Sequence, residues 1–271
     1  MKTCKTCFAF AVSLLCVTAS TDGYQENTVE RQLILSGEVV PIGSKTYMTS
    51  LRSSPTSSNI CGGTLISPTH VLSASHCSIY DIRWVSIGSH YRNGTQDGEQ
   101  IRVVSLMNHP DYSVNVKNSH DFMVLELEKP SKFAPVKLAA ADDSDFKAGE
   151  WVTTMGWGTN AEVNGTNPYE LQAVDVQLMS DEECATKVNM DSSMVCAAGV
   201  LNHDSCFGDS GGPLIVQGSS EMNSEDVLVG VVSWSKDNTC GREGYPGVYS
   251  RVSSVRAWID SITGGNGTCL G

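Results

Sequence analysis

The sequence predicts an all-β fold of antiparallel strands, arranged as barrels or a sandwich, with a single α-helix at the C-terminal end. Two observations carry this expectation. Short β-rich runs recur at 64–66, 84–87, 101–106, 122–127, 152–155, 174–178, 214–216 and 227–232, each bounded by clusters of Gly, Pro, Asn and Ser. Many short strands with regular turns are how such folds read in sequence. The one stretch with a helical period is terminal: Val252, Val255, Trp258, Ile259 and Ile262 form one apolar stripe after serines suited to capping.

A chain of 271 residues with 40% hydrophobic residues is long and apolar enough for a packed enzyme-sized fold. At the N-terminus, Lys2 and Lys5 precede an apolar run at 8–17 and the small-residue sequence Val17-Thr18-Ala19. That pattern is a secretory signal, expected to be cut after Ala19. Residues 20–33 are polar and aperiodic, as in a short pro-segment. No later run approaches the roughly 20 apolar residues of a membrane span, so a secreted, extracellular protein without membrane contact is expected. The net charge of −12 disfavours nucleic acid, which needs a basic surface, and favours cationic substrates or partners.

Of ten cysteines, Cys4, Cys7 and Cys16 leave with the signal. Cys61, Cys77, Cys184, Cys196, Cys206, Cys240 and Cys269 remain in an oxidising compartment. None has a Cys-x-x-Cys partner, so disulfides are expected rather than zinc, and the odd number leaves one cysteine over. Sequons at Asn93, Asn164 and Asn266, each followed by Gly and Thr, are candidate glycosylation sites.

The densest chemistry lies in Asp204-Ser205-Cys206-Phe207-Gly208-Asp209-Ser210-Gly211-Gly212-Pro213-Leu214. A serine hydroxyl becomes a nucleophile only when a base takes its proton, and the oxyanion that follows needs preorganised donors. Glycines around Ser210 let the backbone turn so that the amides of Gly208 and Ser210 converge. One such donor is worth about 3 kcal/mol of barrier. The string resembles the Gly-Asp-Ser-Gly-Gly-Pro signature of trypsin-like (chymotrypsin-family) serine proteases.

The resemblance extends from about residue 34 to 262. Ser73-Ala74-Ser75-His76-Cys77 resembles the family's histidine segment, with Ser75 in place of an alanine. His120-Asp121-Phe122-Met123-Val124-Leu125 resembles its aspartate segment. The order His76, Asp121, Ser210 is that of the chymotrypsin type. The resemblance implies that Ser210 attacks, His76 carries the proton and Asp121 orients the imidazole. His70, His90, His109, His120 and His203 read as structural or exposed. The family's fold sharpens the expectation to two antiparallel six-stranded β-barrels at about 34–140 and 149–250, then a helix at about 253–262 and a tail at 263–271. The Ala- and Asp-rich stretch 139–149 is expected to join the two barrels.

Further roles follow from the same resemblance. Asp204 occupies the position of the carboxylate at the base of the primary specificity pocket, where it selects Arg or Lys. Ser233, Trp234, Ser235 and Gly247 resemble the pocket walls, although Ser235 replaces a glycine. Disulfides Cys61–Cys77, Cys184–Cys196 and Cys206–Cys240 are implied, leaving Cys269. Asp209 is expected to receive a new amino terminus at Ile34, but Leu33 precedes Ile34 and the nearest basic residue is Arg31, which departs from tryptic activation. The loop 89–100 corresponds to the calcium loop of some trypsins. With Ser89 where a liganding Glu would stand, it is expected to be solvated, with no metal and no cofactor in the protein.

Two functions are implied. One is a secreted endopeptidase that cleaves proteins or peptides after Arg or Lys. The other rests on the stretches 32–35, 61–72, 93–100 and 127–133, which resemble the glucanase inhibitor proteins of plant-pathogenic oomycetes. Those are protease-fold proteins that bind host endo-β-1,3-glucanases and typically lack an intact triad.

Overall fold

The computed structural model describes residues 37–159, 165–198, 208–219, 225–238 and 245–264. The expected signal, the pro-segment and residues 265–271 lie outside them. Six strands close into a first barrel: β2 (Met48–Arg52), β3 (Cys61–Ser67), β4 (His70–Ser73), β5 (Trp84–Ile87), β6 (Glu99–Asn108) and β7 (Met123–Leu127), in the ring order β2-β3-β4-β7-β6-β5. A second set comprises β9 (Trp151–Gly156), β10 (Gln172–Leu178), β11 (Met194–Ala198), β12 (Pro213–Val216), β13 (Val227–Ser235) and β14 (Gly247–Arg251). It runs β9-β10-β11-β14-β13-β12, and β12 pairs back onto β9 to close it. All pairings in both rings are antiparallel, and among the described residues every ring strand is paired on both sides. Two short strands lie outside the rings: β1 (Glu38–Val39) pairs with β10, and β8 (Lys137–Leu138) pairs in parallel with β13.

Period-2 patterning explains the strands. In β10 the side chains of Gln172, Val174, Val176 and Leu178 are buried, while Asp175 and Gln177 face solvent. One continuous apolar cluster takes residues from both barrels, including Leu51, Leu65, Leu72, Phe122, Val152, Trp157, Leu228 and Tyr249. Helix α2 (Arg256–Thr263) follows a 3-10 turn at Val252–Val255 and ends at Gly264 in the left-handed conformation. It begins later than the apolar stripe suggested because the first of those residues take the tighter turn.

Several elements depart from the sequence reading. The strands β2, β4, β11 and β14 were not among the predicted runs, and neither were the short β1 and β8. Helix α1 (Asp181–Ala185) also corrects the expectation of a single helix. Its signal is local: Ser180 accepts a hydrogen bond from Glu183 N at 3.1 Å, in the Ser-x-x-Glu spacing of a capping box.

A partly buried polar junction ties the entry of the first barrel to the start of strand β13. Asp226 accepts from Lys45 Nζ at 2.7 Å, Tyr47 Oη at 2.5 Å and Gly218 N at 2.9 Å. Burial pushes the Asp226 carboxyl up, but these hydrogen bonds and the Lys45 charge outweigh it and hold the group below its usual 3.8. Burial and Asp226 together push the Tyr47 phenol upward. A carboxyl with a depressed folded pKa stabilises the fold above the unfolded value and loses that contribution as pH falls through the folded one. Asp226→Asn is therefore expected to lower the Tm at pH 6, with the gap to the unsubstituted protein closing as pH drops from about 4 toward 2. Thermal unfolding across that range checks it.

Candidate functional site

His76 sits in the 3-10 turn Ser75–Ile79 that leaves β4. The disulfide Cys61–Cys77, spanning 16 residues, ties this turn to β3. Ser75, which replaces an alanine of the resembled family, is buried, and its hydroxyl donates to Phe122 O at 2.6 Å. That bond fastens the histidine turn to the start of β7, next to Asp121. Nothing in the local sequence announces this bond, since it depends on tertiary placement.

Asp121 is fully buried, so its charge needs dense hydrogen bonding. It has three donors: Oδ1 accepts from His76 N at 2.8 Å, and Oδ2 accepts from His76 Nδ1 at 2.7 Å and Ser233 Oγ at 2.6 Å. With Nδ1 donating to the carboxylate, the neutral ring keeps Nε2 as an acceptor on its partly exposed side. Ser233, read in the sequence as a pocket wall, has its hydroxyl turned to this carboxylate.

Ser210 lies between Gly208 at φ +105° and Gly211 at φ +80°, conformations that glycine adopts without strain. Its carbonyl accepts from Gly62 N at 2.8 Å, which couples the serine turn of the second barrel to β3 of the first. Among the described residues, no hydrogen bond joins Ser210 Oγ to the His76 ring. Such bonds are often long without substrate. Asp209 is 1% exposed, and its Oδ1 accepts from Gly158 N at 2.7 Å. A Cβ at Gly156 or Gly158 would lie 2.1 or 2.2 Å from the carboxylate oxygens, so both positions must be glycine to admit it.

The remaining site residues divide between described and undescribed segments. Trp234 and Ser235, with Lys117, Asn118, Asn189 and Asp237, line a cavity of about 420 Å³. Gly247 opens β14 opposite Ser235. Asp204, Cys206, Cys240, Cys269, His203 and Ile34 lie outside the described residues, as do the sequons at Asn164 and Asn266. Cys184 and Cys196 form a disulfide. Asn93 donates to Tyr169 Oη at 3.0 Å on an exposed turn.

Among the described residues, the grouping of His, Cys, Asp and Glu close enough for a metal is Cys61, His76 and Cys77, and both cysteines are spent on the disulfide. In the loop 89–100 the acids are engaged elsewhere. Asp97 accepts from Ser89 Oγ at 2.6 Å and His90 N at 2.8 Å, and Glu99 accepts from Ser131 Oγ at 2.6 Å and Lys132 N at 3.0 Å.

Two β-barrels carrying a His-Asp pair from one and a glycine-flanked serine from the other define a protease-fold protein. The trypsin family model matches residues 34–259, and the chain belongs to that family. Among curated proteins it is 48% identical over 267 residues to glucanase inhibitor protein 3 of Phytophthora infestans, covering 98% of this chain and 100% of that one. Glucanase inhibitor protein 2 of the same organism is 48% identical over 237 residues, covering 87% of this chain and 91% of the relative. Glucanase inhibitor protein 2 of Phytophthora sojae is 46% identical over 253 residues, covering 93% and 86%.

Proposed function

We propose that this chain is a secreted protein of trypsin fold that binds and inhibits an endo-β-1,3-glucanase of a host plant. The observation that carries this reading is identity near half over nearly the full length of proteins named for glucanase inhibition. The leader-like N-terminus supports export, and none of the described helices is long and apolar enough to cross a membrane. Mixing the secreted protein with an endo-β-1,3-glucanase and resolving the mixture by size-exclusion chromatography tests it. Co-elution as a complex of defined stoichiometry is expected, and separate elution at micromolar concentrations contradicts the proposal.

A second reading has its own support in the hydrogen bonds of Asp121. In it, His76 Nε2 takes the proton of Ser210 Oγ as the oxygen attacks a scissile carbonyl. The amides of Gly208 and Ser210 receive the oxyanion, the C–N bond breaks as His76 passes that proton to the leaving amine, and water deprotonated by His76 then hydrolyses the acyl-serine to release the acid and restore Ser210. Asp204 gives this endopeptidase its preference for Arg or Lys. Sites from one family also take on unrelated roles, so the fold alone favours neither function. Hydrolysis of a chromogenic peptide ending in Arg, by N-terminally sequenced protein, tests the second reading. Turnover that Ser210→Ala abolishes supports it, and its absence in protein beginning at Ile34 opposes it.

A further inference from the structure

At one end of the first barrel the Arg52 guanidinium packs against the backbone of Arg92, and among the described residues neither side chain is in an ion pair. Arg52, the last residue of β2, is fully buried. Its Nη1 donates to Ser57 O and its Nη2 to Arg92 O at 2.5 Å, while Nε has no partner. Arg92 is partly exposed, and its Nε is likewise buried without a partner. Among the described residues the Arg92 side chain makes neither a hydrogen bond nor an ion pair. Burial first, and then the charge of Arg92, depress the Arg52 pKa, with no carboxylate opposing them.

Among the described residues no carboxylate forms an ion pair with Arg52 or Arg92. Asp97 and Glu99, the acids of the adjacent loop, are committed to Ser89, His90, Ser131 and Lys132. The nearest turn is fixed instead of adaptable: Gly94 O accepts from Ser86 Oγ at 2.8 Å and Gln100 Nε2 at 2.7 Å. A Cβ at Gly94 would come within 2.5 Å of Arg52 Nη2, so the guanidinium is packed against backbone there. Burying a cation costs several kcal/mol unless a counter-charge compensates. In a chain of net charge −12, two contacting arginines with no ion pair among the described residues form a local exception.

We propose that Arg52 and Arg92 form an anion site between the end of β2 and the loop 89–100, which takes a tetrahedral oxyanion, sulfate or phosphate. Arg92 offers its planar donor fork from the partly exposed side, and Arg52 adds charge from behind it. The oxyanion is either a free ion or an ester group carried on a polysaccharide.

Thermal unfolding and calorimetric titration of the full mature chain test the site, with sodium sulfate and sodium phosphate compared against sodium chloride at matched ionic strength. Sulfate stabilises many proteins without binding, so the readout is the difference between the unsubstituted protein and Arg92→Ala. A saturable rise in Tm of about 4 °C at ten times the Kd is expected in the former, with one ion bound. It is expected to vanish in Arg92→Ala and to persist in part in Arg92→Lys, which keeps the charge and loses the fork. Arg92-dependent binding of dextran sulfate without binding of the inorganic ions would assign the site to an ester group. Equal shifts in the protein and Arg92→Ala, with no saturable heat from any of the three, would overturn the proposal.

Discussion

Asp121→Asn is expected to disable the His76 site without unfolding the protein. The aspartate is fully buried and receives three donors, from His76 N, His76 Nδ1 and Ser233 Oγ. An asparagine has one acceptor oxygen and an NH₂ that must confront at least one of those donors. Leaving a buried donor unpaired costs about 1–3 kcal/mol, which is about 5 °C in Tm for a chain of this size. The chemical effect is larger. In the chymotrypsin-type template the same exchange leaves the imidazole in the wrong tautomer and lowers kcat about 10⁴-fold. A comparable loss in hydrolysis of an Arg-ending peptide is expected here under the peptidase reading. Glucanase binding is expected to change little, because the substituted side chain has no surface.

Replacing Cys61 and Cys77 together with serine is expected to cost about 3 kcal/mol, the entropy of opening a loop of about 15 residues in the unfolded chain. In Tm this corresponds to about 6–12 °C. The position of the bridge adds a second effect. Cys77 directly follows His76, and the turn that carries both is otherwise held by Ser75 Oγ on Phe122 O and by His76 N on Asp121. Loss of the bridge is therefore expected to broaden the histidine's environment, seen as a weaker and more mobile His76 ring signal in NMR. A drop in Tm with an unchanged His76 signal would separate the two effects.

Much of this site was legible in the sequence because its residues carry chemistry in a fixed order. His76 beside a cysteine, Asp121 heading an apolar strand and Ser210 among glycines were each visible locally, and their order pointed to one family. What escaped notice depends on contacts far apart in the chain. Ser233 reads as a pocket residue until β13 brings its hydroxyl to a carboxylate 112 residues earlier. Ser75 reads as a plain substitution until its bond to Phe122 O is formed. The strands β11 and β14 escaped because Ala, Cys and Gly dilute their β-branched content, leaving burial between neighbouring strands to define them. Helix α1 was missed for another reason: at five residues it shows no apolar period, and its cap at Ser180 was its one signal.

The two functional readings separate most directly in one titration. An endo-β-1,3-glucanase hydrolysing laminarin is assayed against rising concentrations of the secreted, N-terminally sequenced protein and of its Ser210→Ala variant. The glucanase-inhibitor reading predicts saturable loss of glucanase activity with the same midpoint for both proteins, since binding needs no nucleophile. Full glucanase activity at a tenfold molar excess of either protein would contradict it.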